Sequence, residues 1–223
     1  MIVAVERRVG VLWDMDGTLI NTEPLWMAAE HELVASFGGV WTEEHALQCV
    51  GNGLAESARI LQSAGVRLEE DAIIDWLTDH VTAHLDPAAM PWRPGAVELL
   101  RGLGEAGIPC ALVTMSHRRM AERIAEQLGF AAFAAIIAGD EVEHAKPHPD
   151  PYRRGAAALG LDAADCVAIE DSPTGLASAR AAGTVAVAVP FLVEIPDAPG
   201  HTRWDSLVGR SSSDVLALLG AAA

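Results

Sequence analysis

Val9-Gly10-Val11-Leu12-Trp13-Asp14-Met15-Asp16-Gly17-Thr18-Leu19 carries most of the information about this chain. Five residues without charge run straight into two carboxylates and a glycine. The apolar run reads as a short buried strand, and carboxylates two apart just beyond it face a common cleft at its carboxyl end. Two structural alternatives attach to the same letters. Asp-Gly between apolar residues is a hairpin signal. Asp-x-Asp-Gly also opens a calcium loop, but that loop requires glycine at its sixth position and glutamate at its twelfth. Here those positions hold Leu19 and Leu25, so the calcium reading fails.

Four more strand-like runs follow downstream: Pro109–Thr114, Ala134–Ala138, Cys166–Ile169 and Val185–Val189. Helical patterns lie between them. Ala96–Ala106 stops at Gly107, Arg118–Leu128 at Gly129, and Tyr152–Leu159 at Gly160. Ser172-Pro173 opens a further helix that Gly183 closes, with serine placed as cap and proline at the first helical position. Strands alternating with helices of this length predict an α/β fold, a Rossmann-like doubly wound parallel sheet. Chemistry in such sheets gathers at the carboxyl ends of the strands.

One segment breaks the alternation. From Thr22 to Met90 the pattern is helical, with stripes at Trp26, Ala29, Leu33 and Phe37 and at Ile74, Leu77, Val81 and Leu85. It carries 12 acidic and 2 basic residues, a local charge of −10. The proline-rich run Asp86–Gly95 that leaves it reads as a linker. The expected organisation is therefore a core of residues 1–21 and 91–223 with an all-helical cap domain, 22–90, inserted over the first strand.

Composition narrows the function. The 223 residues carry a formal charge of −16, which argues against a nucleic-acid partner. The longest uncharged stretches, Gln127–Gly139 and Ala181–Val193, are 13 residues each and are broken by glycine or by glycine and proline, too short for a membrane span. Charged Glu6-Arg7-Arg8 leaves no secretory hydrophobic region at the start. The three cysteines, Cys49, Cys110 and Cys166, are an odd count and fit free thiols in a reducing compartment. A cytoplasmic enzyme without nucleic-acid or membrane partners, monomeric or weakly homo-oligomeric, is the expectation.

Three further clusters sit at strand ends. Val113-Thr114-Met115-Ser116 offers hydroxyls and a helix N-terminus, although alone it reads as a cap. Ala145-Lys146-Pro147 contains the one lysine among 15 cations. A lone lysine in an arginine-using chain suggests a task for a compact point charge. Ile169-Glu170-Asp171-Ser172 ends a strand with adjacent carboxylates. Four clusters at four successive strand ends compose one site.

Asp14-x-Asp16-Gly17-Thr18, Thr114, Lys146 and Glu170-Asp171, in that order, resemble the four motifs of the haloacid dehalogenase-like hydrolase superfamily, over essentially the whole chain. The insertion is similar to the helical cap of its beta-phosphoglucomutase-like type, and Thr22-Glu23-Pro24-Leu25-Trp26 resembles the start of the cap in the sugar-phosphate phosphatase branch. The resemblance implies a Rossmann-like core, Mg²⁺ as cofactor and a phosphoaspartyl intermediate on Asp14. It implies that Asp14, the backbone carbonyl of Asp16, and Asp171 with Glu170 hold the metal. Lys146 then neutralises phosphate charge and keeps Asp14 ionised. Thr114 and the N–H groups that follow it, from Met115 to His117 through Ser116, bind phosphoryl oxygens. Asp16 protonates the leaving alkoxide and then activates water, while Gly17 supplies the turn beside the phosphate. True dehalogenases of the superfamily lack the second aspartate, so Asp16 argues against dehalogenation.

Each group has a physical reason. Two like unit charges 4 Å apart repel by about 4 kcal/mol at an effective dielectric of 20, which opposes attack of one anion on another until a cation intervenes. The cap says less. A mutase of the family carries a histidine where this chain has Trp26, and uses cap cations to grip a second phosphate. The loop Val50–Leu54 has no cation and the cap has no lysine. Hydrolysis of a small phosphate monoester with a neutral polyol or sugar body is favoured over a phosphomutase. Trp26, Asn52 and His117 are the candidates for touching that body. His80 and His84 have the spacing of a metal pair without a third ligand, and His144 and His148 read as loop residues. Glu43-Glu44 and Glu69-Glu70-Asp71 fit helix N-termini, and Trp41 and Trp76 fit cap packing. A phosphorylation-dependent receiver domain also combines aspartates, a hydroxyl and a lysine, but in another order and at half this length. A catalytically silent relative that binds phosphate is the remaining alternative.

Overall fold

In a computed structural model that describes residues 8–49 and 53–221, six parallel strands form one sheet in the order β3-β2-β1-β4-β5-β6. They are β1 (Gly10–Trp13), β2 (Cys110–Val113), β3 (Ala135–Ile137), β4 (Cys166–Glu170), β5 (Val185–Ala188) and β6 (Thr202–Arg203). Five coincide with the apolar runs. β6 was not expected: it is two residues long and polar, and it lies beyond the irregular Pro190–Gly200 stretch. Register is set residue by residue, with Val11 opposite Cys110 on one side and opposite Val167 on the other.

Alternation along the strands separates two cores. Val11, Trp13, Leu112, Val167, Ile169 and Val187 face one side. There they meet α5 (Ala96–Glu105), α6 (Arg118–Glu126) and α9 (Ser212–Ala221) through Leu99, Leu100, Met120, Ile124 and Val215. Leu12, Ala111, Val113, Ala168, Ala186 and Ala188 face the other side. They pack on α7 (Asp150–Ala158) and α8 (Pro173–Ala182) through Tyr152, Ala156, Leu176 and Ala179. Small side chains on this second face let the helices approach closely. A Cβ on Gly155 of α7 would stand 2.9 Å from Val113 and 3.3 Å from Leu12. Ser172 caps α8 as expected, its Oγ accepting from the Gly175 amide at 3.0 Å.

Four helices stand between β1 and α5: α1 (Glu23–Ser36), α2 (Glu43–Cys49), α3 (Leu54–Ser63) and α4 (Glu70–His84). The two apolar stripes are buried, α1 through Trp26, Ala29 and Leu33, and α4 through Ile74, Leu77 and Val81. Acidic residues open α2 and α4, where they favour the helix dipole. The two connections to the sheet run side by side. The Asn21 amide donates to the Pro91 carbonyl at 2.8 Å and the Arg93 amide to Leu19 at 2.9 Å. The three cysteines are free and buried. No helix is long and apolar enough to cross a membrane among the described residues.

Candidate active site

Strand order reverses between β1 and β4, and the carboxyl ends of the strands converge there. Asp14 and Asp16 follow β1, Thr114 follows β2, Lys146 lies in the loop after β3, and Glu170 and Asp171 end β4. The structure brings all six together. Gly17 makes the return possible: its φ is +84°, and a Cβ would lie 2.0 Å from Asp171 Oδ2. Its amide donates to the Ile20 carbonyl at 2.8 Å, so the N–H serves the turn. Only glycine fits both demands.

Lys146 is the hub. Its buried ammonium donates to Asp14 Oδ1 at 2.7 Å, to Glu170 Oε1 at 2.7 Å and to the Val113 carbonyl at 3.0 Å, which uses all three protons. The Tyr152 hydroxyl donates to the same Glu170 oxygen at 2.7 Å, and its ring lies 5.0 Å under the ammonium. Ser172 donates to Glu170 Oε2 through both its Oγ and its amide. Burial pushes the Lys146 ammonium down, but Asp14 and Glu170 outweigh it and the group is held charged. Asp14 keeps its other oxygen, Oδ2, buried and without a partner among the described residues.

Asp16 is held differently. Oδ1 accepts from Thr22 at 2.5 Å and from the Trp26 indole at 3.1 Å. Oδ2 accepts from Ser116 at 2.7 Å and from Thr114 at 3.3 Å. Two donors come from the start of α1 and two from the end of β2, so this carboxylate ties the inserted helices to the sheet. Met115 is buried beside the lysine, its sulfur accepting from the Lys146 amide.

The electrostatic imbalance is large. Oxygens of Asp14, Glu170 and Asp171 lie within 4.8 Å of one another, with one lysine among them. Burial, then the Glu170 charge, raises the Asp14 carboxyl above the usual range. Burial, then the Asp14 charge, does the same for Asp171. Such a set of hard, buried oxygens with an unpartnered Asp14 Oδ2 fits a small divalent cation.

A cavity, partly open to solvent, joins this cluster to the inserted helices. Asp14, Asp16, Lys146, Asp171, Thr114, Met115 and Ser116 line one end, and Trp26 lines the side. His117 does not line it; it occupies the N-cap of α6, half-buried. Asn52 lies outside the described residues. His80 and His84 stack on each other with centroids 4.2 Å apart, and among the described residues they join no metal-ligating group.

Three residues at the site escaped the sequence reading. Tyr152 is the one tyrosine of the chain, and its place on the buried face of α7 was a usable signal. Glu23 and Glu30, both buried, line the cavity from α1. Burial, then the Asp16 and Asp14 charges, raises Glu23 to about 7. Burial, then Glu23, raises Glu30 to about 8, although Trp41 and Cys49 pull it back in part. Glu30 sits four residues after Trp26 and three before Leu33, inside the apolar stripe itself, which marks it as buried.

A clamped aspartate, a second aspartate and a lysine thus meet at the switch point of a parallel sheet, where such folds place their chemistry. The chain belongs to the haloacid dehalogenase-like hydrolases, whose profile matches residues 9–183, and it is a phosphoric monoester hydrolase of that class. It is 35% identical over 185 residues to the bifunctional riboflavin kinase/FMN phosphatase of Arabidopsis thaliana, covering 82% of this chain and 48% of that protein; the chain thus spans about half the length of that relative. It is 32% identical to hexitol phosphatase A of Escherichia coli, covering 85% of this chain and 87% of that one. The crystal structure of CbbY from Rhodobacter sphaeroides in complex with phosphate superposes with a TM-score of 0.82 at 30% identity, covering 93% and 99% of the two chains.

Proposed function

We propose that the protein is a Mg²⁺-dependent phosphatase that hydrolyses a small phosphate monoester, a sugar or polyol phosphate, through a phosphoaspartyl intermediate on Asp14. The observation that carries this is the asymmetric clamp on Asp14. Lys146 anchors Oδ1, which leaves Oδ2 as the one oxygen oriented and uncommitted. In this reading Oδ2 bonds to phosphorus and the alkoxide leaves. Asp16 protonates it and then takes a proton from the water that attacks the acyl phosphate. Thr114 and Ser116 hydroxyls, now donating to Asp16, are at hand for phosphoryl oxygens, with the amides from Met115 to His117 at the start of α6. Asp14, the Asp16 carbonyl and Asp171 would hold the ion, with Glu170 completing the acidic group while it fixes Lys146. When bound, Mg²⁺ would supply charge neutralisation between the carboxylates and the incoming phosphate.

Residues 22–90 act as the cap in this reading, over a core of 1–21 and 91–223. Hydrolysis is preferred to phosphoryl shuttling between sugar positions because no cation lines the cavity from the inserted helices among the described residues. The hexitol phosphatase relationship supports a polyol or sugar body. The test is release of phosphate from a set of monoesters with and without Mg²⁺, alongside Asp14→Asn. The variant should lose at least about 10⁴-fold in kcat, as expected when the nucleophile is removed. Full activity in Asp14→Asn would refute the mechanism.

A further inference from the structure

The end of the cavity remote from Asp14 is furnished for a ligand. Glu23, Trp26, Met27 and Glu30 line it at i, i+3, i+4 and i+7 of α1, so one face of the helix forms a wall. Ala46, Cys49, Leu54, Ser57 and Leu77 complete this end. Glu30 is 4% exposed, and its Oε2 is buried without a hydrogen-bond partner among the described residues. The Trp41 indole and the Cys49 thiol stabilise the carboxylate by hydrogen bonding to it. One buried acceptor oxygen, Glu30 Oε2, is therefore left over at this end. Leaving such an oxygen unpaired costs on the order of 1–3 kcal/mol.

No cation of the protein answers this. Among the described residues 22–90 the two arginines are engaged elsewhere, Arg59 with Glu56 and Glu70 and Arg67 over the Phe37 ring. Among the described residues no cation of the inserted helices lines this end to receive a second phosphate. A hydroxyl supplies the donor that Oε2 lacks. Distance adds a constraint. Trp26 touches Asp16, and Glu30 lies one turn further along α1, about 6 Å by helical rise; from Thr22 it is about 12 Å.

We propose that Glu30 is a specificity-determining residue, its Oε2 accepting a hydrogen bond from a hydroxyl at the end of the leaving group remote from the phosphate. This rests on the phosphatase reading and names its substrate class: extended polyol or sugar monophosphates that span the cavity, rather than short acids or diphosphates.

The experiment compares kcat/KM for sorbitol 6-phosphate and n-hexyl phosphate, esters of similar length that differ in hydroxyls, in the wild type, Glu30→Leu and Glu30→Gln, with Mg²⁺ present. The wild type should prefer the polyol ester. Glu30→Leu should reduce that preference at least about tenfold, and Glu30→Gln, which keeps an acceptor, should restore it to within about threefold. Glu30→Leu lowering both esters in step would reveal a packing role and overturn the inference. So would an unchanged ratio. Wild-type release from p-nitrophenyl phosphate without any polyol preference overturns this inference and leaves the phosphatase reading standing. Release from none of the three esters overturns both.

Discussion

The two ends of the cavity handle buried carboxyls in opposite ways. At the sheet end, Asp14 and Glu170 share one ammonium, Tyr152 and Ser172 complete Glu170, and Asp16 receives four donors, so that Asp14 Oδ2 alone of these oxygens is buried without a partner among the described residues. At the helical end, Glu30 has an oxygen with no partner and Glu23 faces further negative charge. The first end fixes a geometry in the absence of substrate, as chemistry that depends on preorganised charge requires. The second leaves its polar groups for whatever enters, so binding there is selected by what satisfies them. Rigid positioning and deferred satisfaction are thus divided between strand ends and helices.

Removing the hub gives the sharpest test of that division. Lys146→Met leaves Asp14 and Glu170 facing each other, buried, without their shared cation. Loss of one partner from a buried pair costs about 3–5 kcal/mol. The melting temperature should fall by roughly 10 °C, at about 2–4 °C per kcal/mol for a chain of this size. Calorimetry in EDTA measures it. The shortfall should shrink on adding Mg²⁺, because a cation bound there by Asp14 and Asp171 takes over part of the neutralisation. A stable Lys146→Met variant would show that the sheet end is as loosely satisfied as the helical end.

The helical end should reveal itself through pH. Glu30 ordinarily titrates at 4.5 and is raised to about 8 by burial and by Glu23. Between those values the folded protein holds a proton that the unfolded chain has released. Stability therefore falls as pH rises from about 5 to about 8 and levels off above. Each unit of difference is worth 1.36 kcal/mol, so the penalty above pH 8 is on the order of a few kcal/mol. Glu30→Gln should remove the Glu30 share of this slope, leaving that of Glu23 and Asp14, and melt higher than the wild type at pH 8.5, the difference shrinking toward pH 5.5. Thermal melts in EDTA across that range decide it; parallel curves would mean that Glu30 is solvated in solution.

The contrast between the two ends also explains what could be read from the chain. Asp14, Asp16, Thr114, Lys146 and Asp171 are legible because each follows a short apolar strand, and a parallel sheet sends all such positions to one edge. Lys146 stood out further as the one lysine. Glu30 follows no strand, and acidic residues are common along α1, so it passes for a solvated charge until its place in the Trp26–Ala29–Leu33 stripe is weighed. His117 was assigned to the substrate because it follows the Thr114 cluster, but the capping position it takes at α6 puts it outside the cavity lining. Strand β6 escaped because two polar residues carry no periodicity. Tyr152 was concealed by function: a phenol beneath a lysine has no sequence spacing to announce it.

A last, smaller effect concerns the seam between the two regions. Arg119 on α6 reaches α4, its guanidinium 3.0 Å from both Asp75 and Asp79 and donating to the Asp75 carbonyl at 3.1 Å. All three side chains are substantially exposed, and such pairs contribute about 0.2–1 kcal/mol. The contact joins α6 of the sheet layer to α4 of the helical insertion, so it favours the arrangement in which Trp26 and Thr22 reach Asp16. Arg119→Ala should raise KM by about two- to fivefold with kcat within about twofold. That increase should vanish in high salt, where the wild-type contact is screened as well. A kcat loss that persists at high salt would mean that Arg119 supports the α6 N-terminus and not the seam, and would place it with the sheet end of the site.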